Sequence, residues 1–107
     1  LMTEKMKIID FLRENQLDAI FVQKDENCRY LSKFTGSDSY LLLTKEKLYL
    51  LTDSRYTEQA RKEAADYTVV DYKGHLAEIV AKLAGEYHIK TMGVETVFFL
   101  SDVPVFS

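Results

Sequence analysis

Apolar residues recur at helical spacing in three segments of the chain. The first segment begins after Thr3, a residue that can cap a helix, and ends at Asn15 and Gln16. The last segment has the most regular spacing, and we expect it to stop at Gly85. The apolar positions of the three segments are, in order, Met6, Ile9 and Leu12; Tyr56, Ala60 and Ala64; and Leu76, Ile79, Val80 and Leu83.

Short, mainly apolar runs that predict β-strands separate these predicted helices, and residues 19–22 are wholly apolar, which is typical of a buried strand. They span residues 19–22, 40–44, 47–51, 68–70 and 91–94. Only Lys45 and Glu46 separate the second run from the third, which predicts a β-hairpin although the favoured Asn-Gly or Asp-Gly is absent. Polar residues 24–27 break the chain after the first run, and a short helical turn at residues 28–31 is predicted there.

The predicted order of helix, strand, hairpin, helix, strand, helix and strand indicates an α/β domain. The hairpin pairs two strands antiparallel, whereas crossover helices imply parallel pairs, so the sheet is expected to be mixed. A chain of 107 residues is long enough for one hydrophobic core. We therefore interpret residues 1–107 as a single domain.

Composition and charge limit the cellular compartment and the classes of partner that are expected for this domain. Apolar residues make up 47% of the chain and charged residues 29%, as in ordinary globular proteins, and no apolar run approaches the roughly 18 residues of a membrane helix. The net charge of −3 removes the usual electrostatic support for nucleic-acid binding. The N-terminus does not resemble a signal peptide, and the single Cys28 has no disulfide partner in this sequence. We expect a cytoplasmic protein that binds neither membrane nor nucleic acid.

The side chains needed for catalysis form no recognisable motif. His75 and His88 flank one predicted helix without a cysteine pair or ligand spacing, so we interpret them as surface residues rather than metal ligands. Cys28 is interpreted as a buried thiol without a catalytic role. The sequence has no serine-nucleophile motif, and its four glycines are not spaced for phosphate binding. We predict no catalytic residue and no metal site in this chain.

Two clusters of residues nevertheless suggest a functional surface. Residues 27–38 combine aromatic, arginine and small polar residues between two predicted strands, where ligand contacts are often placed. Residues 52–56 lie at a strand-to-helix junction, where Asp53 can cap the helix and Arg55 can hold a carboxylate through its planar guanidinium. A purely structural interpretation, which physical chemistry alone favours slightly, makes Asp53 a cap, Arg55 an exposed charge and Tyr56 a core contact.

Taken together, these clusters resemble the N-terminal domain of the creatinase/prolidase family, which includes Xaa-Pro aminopeptidases and Xaa-Pro dipeptidases. Spacing and order match over nearly the whole chain, in residues 27–36 (NCRYLSKFTG), 51–60 (LTDSRYTEQA) and 93–95 (GVE). The family usually has glycine at the positions of Lys33 and Ser54. Because glycine permits backbone angles that are costly for other residues, we expect the tight turns at these two positions to be relaxed here.

The resemblance implies a mixed sheet of about six strands with helices on both faces, which is a ribonuclease H-like arrangement. It also implies that this domain precedes a C-terminal pita-bread metallopeptidase domain, absent from this chain, that binds two divalent metals, manganese or cobalt, through two Asp, one His and two Glu. The parent protein would be a metallo-exopeptidase that hydrolyses Xaa-Pro bonds, whereas this domain would bind no metal and be catalytically silent. In keeping with a chain cut at a domain boundary, Ser101, Asp102 and Pro104 form a helix-start signal near its end, and Met2 is expected as the natural start.

The roles implied for the domain are to shape substrate access, to limit the length of proline-containing peptide substrates and to help form a homodimer. Its partners would be its own catalytic domain, a second subunit and the peptide. In some family members a residue at the position of Arg29 reaches the active site of a neighbouring subunit. The candidates for the rim of the active-site mouth, with the first three ahead of the others, are Arg29, Tyr30, Phe34, Asp53, Arg55 and Tyr56.

Three alternatives stay open at this point. A related two-domain protein that has lost its metal ligands would use the domain as a peptide- or protein-binding module. A creatinase-like amidinohydrolase would share the fold but act on a small guanidino compound. A free-standing enzyme built on Asp53, Arg55 and Tyr56 would need a nucleophile or a metal that this sequence does not supply.

Overall fold

A computed structural model describes residues 4–94 of the chain. Helices and strands alternate along most of this range, with one 3-10 turn in front of the third helix. The elements are α1 (Glu4–Glu14), β1 (Ala19–Val22), α2 (Asp25–Ser32), β2 (Tyr40–Thr44), β3 (Leu48–Thr52), the 3-10 turn (Ser54–Tyr56), α3 (Thr57–Glu63), β4 (Thr68–Asp71), α4 (Leu76–Glu86) and β5 (Met92–Val94).

The strands of the described residues form one mixed sheet in the order β4-β3-β2-β1-β5. Strands β1 and β5 pair in parallel, as do β3 and β4, whereas β2 runs antiparallel to both of its neighbours, β1 and β3. The α/β class, the antiparallel hairpin and the parallel crossovers are thereby confirmed. The five strands equal the number of apolar runs in the sequence, where the resemblance implied about six.

Helices cover both faces of the sheet, as predicted. Successive side chains of a strand point to opposite faces, and along β2 they alternate between two separate clusters of buried residues. Leu41 and Leu43 pack into the cluster beneath α1, α2 and α3. Leu42 packs on the other face, where Leu83 of α4 belongs to the same cluster. The polar site described below is built above the first of these two cores.

The hairpin between β2 and β3 closes through a threonine rather than through an Asn-Gly turn. The Thr44 hydroxyl accepts hydrogen bonds from the backbone N–H groups of Glu46 (3.2 Å) and Lys47 (2.8 Å). It also lies 2.7 Å from the Lys47 carbonyl oxygen, to which it donates. A side-chain hydroxyl that bonds local backbone groups takes over the function of the missing turn residues.

Helix α2 is longer than the predicted turn at residues 28–31. It begins at Asp25, inside the polar segment that was expected only to break the chain, and continues to Ser32. Asp25 and Glu26 lie in its first turn, where negative charge is favourable against the helix dipole. The prediction was therefore wrong about the first three residues of this helix, because these polar residues begin a helix instead of interrupting the chain.

Helix α4 does not stop at Gly85, as the sequence predicted, but continues to Glu86. The backbone N–H of Tyr87 donates to the carbonyl of Leu83 at 3.2 Å, and His88 then takes a left-handed conformation with φ of 52°. The left-handed residue that ends the helix is thus a histidine three positions beyond the glycine.

Strand β5 confirms the last predicted strand in residues 92–94. Thr3, which was predicted to cap the first helix, lies outside the described residues. Glu95, Ser101, Asp102 and Pro104, which carry the remaining sequence signals, also lie outside them. Within residues 4–94, every helix is too short or too polar to cross a lipid bilayer.

Candidate functional site

One end of the sheet brings together the carboxyl ends of β1, β3 and β4 and the amino end of β2. The loop of residues 33–39, here called the 33–39 loop, leads into β2 at this end of the sheet. The 3-10 turn follows β3 at the same end. The two clusters recognised in the sequence are therefore neighbours in the fold, in a position where open α/β sheets commonly bind ligands.

Arg55 joins these two clusters electrostatically. The Asp53 carboxylate accepts hydrogen bonds from the backbone N–H of Arg55 (2.9 Å) and from its Nε (3.0 Å). The Nη2 of Arg55 reaches the Asp38 carboxylate at 3.4 Å, and its guanidinium carbon lies 5.2 Å from the centre of the Tyr56 ring. The Arg55 backbone N–H, followed by its side chain, lowers the pKa of Asp53. The hydrogen bond to Asp53 in turn raises the pKa of Arg55, so both groups stay charged.

A second polar contact holds the 33–39 loop against α3. The Glu63 carboxylate accepts hydrogen bonds from the backbone N–H (2.7 Å) and the hydroxyl (2.9 Å) of Thr35. Gln59 donates both to the Thr35 hydroxyl (3.2 Å) and to the other oxygen of Glu63 (3.1 Å). The backbone N–H of Thr35 is the main reason that the pKa of Glu63 is lowered.

Phe34 anchors the same loop from below. Its side chain is only 1% exposed and meets the Tyr56 ring edge-on, with the ring centres 6.4 Å apart. Gly36 folds over this ring so closely that a β-carbon there would lie 2.3 Å from the Cζ of Phe34. Any larger residue at position 36 would therefore collide with the phenylalanine. Phe34, a predicted rim residue, is a core side chain whose ring is out of reach of a ligand in this structure.

The turn at Lys33 is not relaxed, contrary to the expectation from the missing glycine. Lys33 adopts the left-handed conformation with φ of 70°, and its backbone N–H donates to the Arg29 carbonyl at 2.9 Å. Its ammonium group donates to the Tyr30 carbonyl at 2.9 Å and lies 5.1 Å from the centre of the Tyr30 ring. Ser54 starts the 3-10 turn without a positive φ, so it has no need of glycine.

Arg29 and Tyr30 lie on the outer face of α2, opposite its buried residues. Both are exposed, and Tyr30 is 37% accessible although it is a large aromatic residue. No carboxylate among the described residues forms an ion pair with Arg29. Its guanidinium can therefore bind an anionic group on another molecule or domain through two parallel hydrogen bonds.

The structure thus brings four of the six predicted site residues, Phe34, Asp53, Arg55 and Tyr56, into one connected cluster. Two partners that complete it, Thr35 and Asp38, lay within the predicted cluster of residues 27–38 but were not singled out as site residues. The other two, Gln59 and Glu63, were missed, and their only local signal was their spacing, four residues apart on one helix face. Asp38 lies 17 residues before Arg55, and no local pattern links the two.

The cysteine and the two histidines are the remaining candidates for catalysis or metal binding. Cys28 is buried, as predicted, and its sulfur lies 3.6 Å from the Val22 carbonyl oxygen and 3.5 Å from that of Ser39. His75 and His88 are exposed, as predicted. Residues 4–94 bring together no group of three or more His, Cys, Asp or Glu side chains that could hold a metal ion. The described part of the chain therefore does not fit the metals that the resemblance implies for the parent protein.

The sequence profile of the creatinase/prolidase N-terminal domain matches residues 6–101. Among curated relatives, an Xaa-Pro dipeptidase from Pyrococcus horikoshii is 33% identical over 98 residues, which make up 90% of this chain and 26% of that protein. The chain spans between 15% and 26% of the length of the curated relatives that it matches.

Solved structures show the same similarity in three dimensions. An Xaa-Pro dipeptidase from Bacillus anthracis superimposes with a TM-score of 0.81 at 31% identity, over 90% of this chain and 28% of that chain. An aminopeptidase P from Streptococcus thermophilus superimposes with a TM-score of 0.79 at 30% identity, over 90% of this chain and 75% of that chain.

Proposed function

Because the chain belongs to the creatinase/prolidase N-terminal domain family, we propose that it works as the N-terminal domain of a metal-dependent Xaa-Pro peptidase. The domain shapes the access of proline-containing peptides to an active site on a C-terminal catalytic domain, and it contributes to a homodimer. The two divalent metals, manganese or cobalt, belong to that catalytic domain. The parent protein acts in the cytoplasm, where the buried thiol of Cys28 stays reduced.

Two features support this proposal, namely a loop held by several contacts and an exposed arginine that has no acidic partner among the described residues. The 33–39 loop is held by Arg55, by Glu63 and by the buried Phe34. A wall that limits the length of a bound peptide needs such restraints, because a loop that yields would admit longer substrates.

Arg29 is the second feature that supports the proposal. It is exposed on α2 and has no acidic partner among the described residues. A peptide substrate carries a C-terminal carboxylate, and arginine is the side chain best suited to bind a carboxylate through two parallel hydrogen bonds. Arg29 is accordingly the residue that we propose to contact the substrate.

The test is the variant Arg29→Ala in the full-length parent enzyme. We expect KM for Xaa-Pro peptides to rise about ten-fold, or about 1.4 kcal/mol, which is at the low end for hydrogen bonds to a charged group because the arginine is exposed. The metal content, measured by elemental analysis, should stay unchanged because this domain holds no metal ligand in the proposal. Lys82→Ala removes a positive charge from α4 on the opposite face of the sheet and should leave KM as it was.

Two outcomes would contradict the proposed role of Arg29. An unchanged KM and an unchanged preference for peptide length would show that Arg29 does not contact substrate. Loss of metal from the variant would show that Arg29 acts through the structure of the catalytic domain.

A further inference from the structure

Strand β4 forms one edge of the sheet, and no strand among residues 4–94 pairs with its outer side. An edge strand is usually protected by lysine, by proline or by a bulge, because its unpaired backbone groups can bond to another strand. The four residues of β4, Thr-Val-Val-Asp, include neither lysine nor proline. The one charged side chain, that of Asp71, accepts a hydrogen bond (2.8 Å) from the backbone N–H of Lys73 in the same chain. The composition of β4 therefore favours pairing with a further strand over protection by its own side chains.

The hydrogen bonds of β4 identify which of its backbone groups point outward. The backbone N–H of Tyr72 donates to the carbonyl of Thr52 at the end of β3 (3.2 Å), so Tyr72 is directed toward β3. Val70, two residues earlier, shares this direction, because successive residues of a strand in a parallel pair are directed alternately to its two sides. Val69 and Asp71 therefore present their N–H and carbonyl groups to the outer side. Both residues are only half-buried, and residues 4–94 provide no backbone partner for these outward groups.

We propose that β4 pairs antiparallel with β4 of a second copy of the chain, about a two-fold axis at Val70. Val69 of one copy then lies opposite Asp71 of the other, and symmetry repeats this pair. Each pair exchanges two N–H to carbonyl bonds, so the outward groups of both strands are all bonded. Two-fold registers in which Val69 or Asp71 lies opposite itself would bond only half of these groups within β4. The proposal specifies the interface of the homodimer proposed above, and it rests on that part of the proposed function.

The charges near β4 fit this register and no neighbouring one. Beyond the paired strands, the exposed Lys73 of one copy comes beside the exposed Asp66 of the other. In the register in which Val69 lies opposite itself, Asp71 comes beside Asp66 of the second copy. In the register in which Asp71 lies opposite itself, two carboxylates face each other directly. Like charges therefore oppose both alternatives. On the axis, Val70 of each copy forms a cross-strand pair of β-branched side chains, which stabilises antiparallel strands.

The test is disulfide cross-linking of the 107-residue chain, whose single cysteine, Cys28, is buried. The two Val70 residues on the axis form a non-hydrogen-bonded pair, in which the α-carbons are about 4.5 Å apart and within reach of a disulfide. We expect Val70→Cys to give a disulfide-linked dimer with oxidised glutathione, seen on a non-reducing gel. Val69→Cys is the matched control, because its two copies are diagonal neighbours about 8 Å apart, too far for a disulfide. The unsubstituted chain controls for Cys28 and should give no linked dimer.

Sedimentation velocity tests the same interface without cysteine chemistry. We expect the unsubstituted chain to dimerise as its concentration increases. Val69→Pro removes one outward donor from each copy, in a position where an edge strand tolerates proline, and should raise the Kd for dimerisation about ten-fold or more. Circular dichroism checks that this variant is folded.

Three outcomes would overturn the proposal. A folded chain that stays monomeric at every concentration would show that β4 is not an interface between copies, and the size of the full-length parent protein would then decide separately whether the proposed homodimer forms. Cross-linking by Val69→Cys as readily as by Val70→Cys would exclude the register. A dimer that Val69→Pro leaves unchanged would show that the copies meet elsewhere, so that the homodimer would stand while this interface fails.

Discussion

Lys33 holds the left-handed conformation at the end of α2, with φ of 70°. For a residue with a β-carbon this conformation costs about 1–2 kcal/mol. The surrounding structure imposes the cost, because the chain must turn sharply for the next residue, Phe34, to enter the core. The lysine offsets part of it through the contacts of its ammonium group with Tyr30.

We expect Lys33→Gly to raise the free energy of unfolding by about 0.5–1 kcal/mol, since relief of the left-handed strain exceeds the added entropy of the unfolded chain. Urea unfolding followed by circular dichroism measures the change. Lys62→Gly removes an exposed lysine from the last turn of α3 and should instead lower the free energy of unfolding by about 0.5 kcal/mol, since a glycine costs a helix about 0.5–1 kcal/mol and less near its end. Destabilisation by Lys33→Gly would mean that the contacts with Tyr30 outweigh the backbone strain.

Phe34 and Arg55 show how far single residues could be interpreted from the sequence. An aromatic residue in a polar segment resembles a ligand contact, and only the fold reveals that Gly36 lets the loop close over the ring. The cap at Asp53 was predictable because it depends on a neighbour two positions away. The ion pair of Arg55 with Asp38 was not, because it forms only after β2 and β3 have aligned.

At the scale of elements, the 33–39 loop and α3 behave as one unit. The loop contains no backbone ladder of its own, and Glu63 holds it through two hydrogen bonds with Thr35. The strands and α4 were predictable because their apolar periodicity is a local property. The true start of α2 was not, since Lys24 provides no side-chain cap and the helix gains its stability by burying Cys28 and Leu31.

Glu63→Ala should loosen this unit without unfolding the domain, because Glu63 is exposed and lies at the last position of α3. We expect limited trypsin digestion to cut after the exposed Lys33 several times faster than in the unsubstituted chain, since loop opening limits cleavage. Mass spectrometry of the fragments measures the rate. Glu58→Ala removes a carboxylate from the same helix outside the cluster and serves as the control. Equal rates in all three proteins would show that Glu63 does not hold the loop.

At the scale of the whole molecule, Asp18 links the loop between α1 and β1 to the loop in front of β5. Its carboxylate accepts hydrogen bonds from the backbone N–H groups of Lys90 (2.9 Å) and Thr91 (3.1 Å). Thr91 is 73 positions away from Asp18 in the sequence. The bond from Lys90 is the main reason that the pKa of Asp18 is lowered. Asp53 and Glu63 have lowered pKa values for the same kind of reason, because each accepts a backbone N–H.

A carboxyl group with a lower pKa in the folded state stabilises the fold only while it is deprotonated. The contribution is complete above the ordinary pKa, 3.8 for Asp18 and 4.5 for Glu63, and disappears as the pH falls through the folded-state pKa. We therefore expect the free energy of unfolding in urea to decline from about pH 4.5 downward. Asp18→Asn keeps an oxygen acceptor but does not titrate, so its decline should be shallower. Asp66→Asn, an exposed control, should follow the unsubstituted chain, and an equally steep decline in Asp18→Asn would contradict the role of Asp18.

The pairing of β1 with β5 also has a consequence for synthesis on the ribosome. Strands β1 to β4 lie side by side in chain order, so each can add to the sheet soon after it emerges. The other edge of β1 stays unpaired until residues 92–94 are made. Until then the nascent chain carries the apolar strand Ala19–Val22 with a free edge, a template for pairing with other chains. Crowded nascent chains of this protein are therefore most prone to aggregate in the interval before β5 is complete.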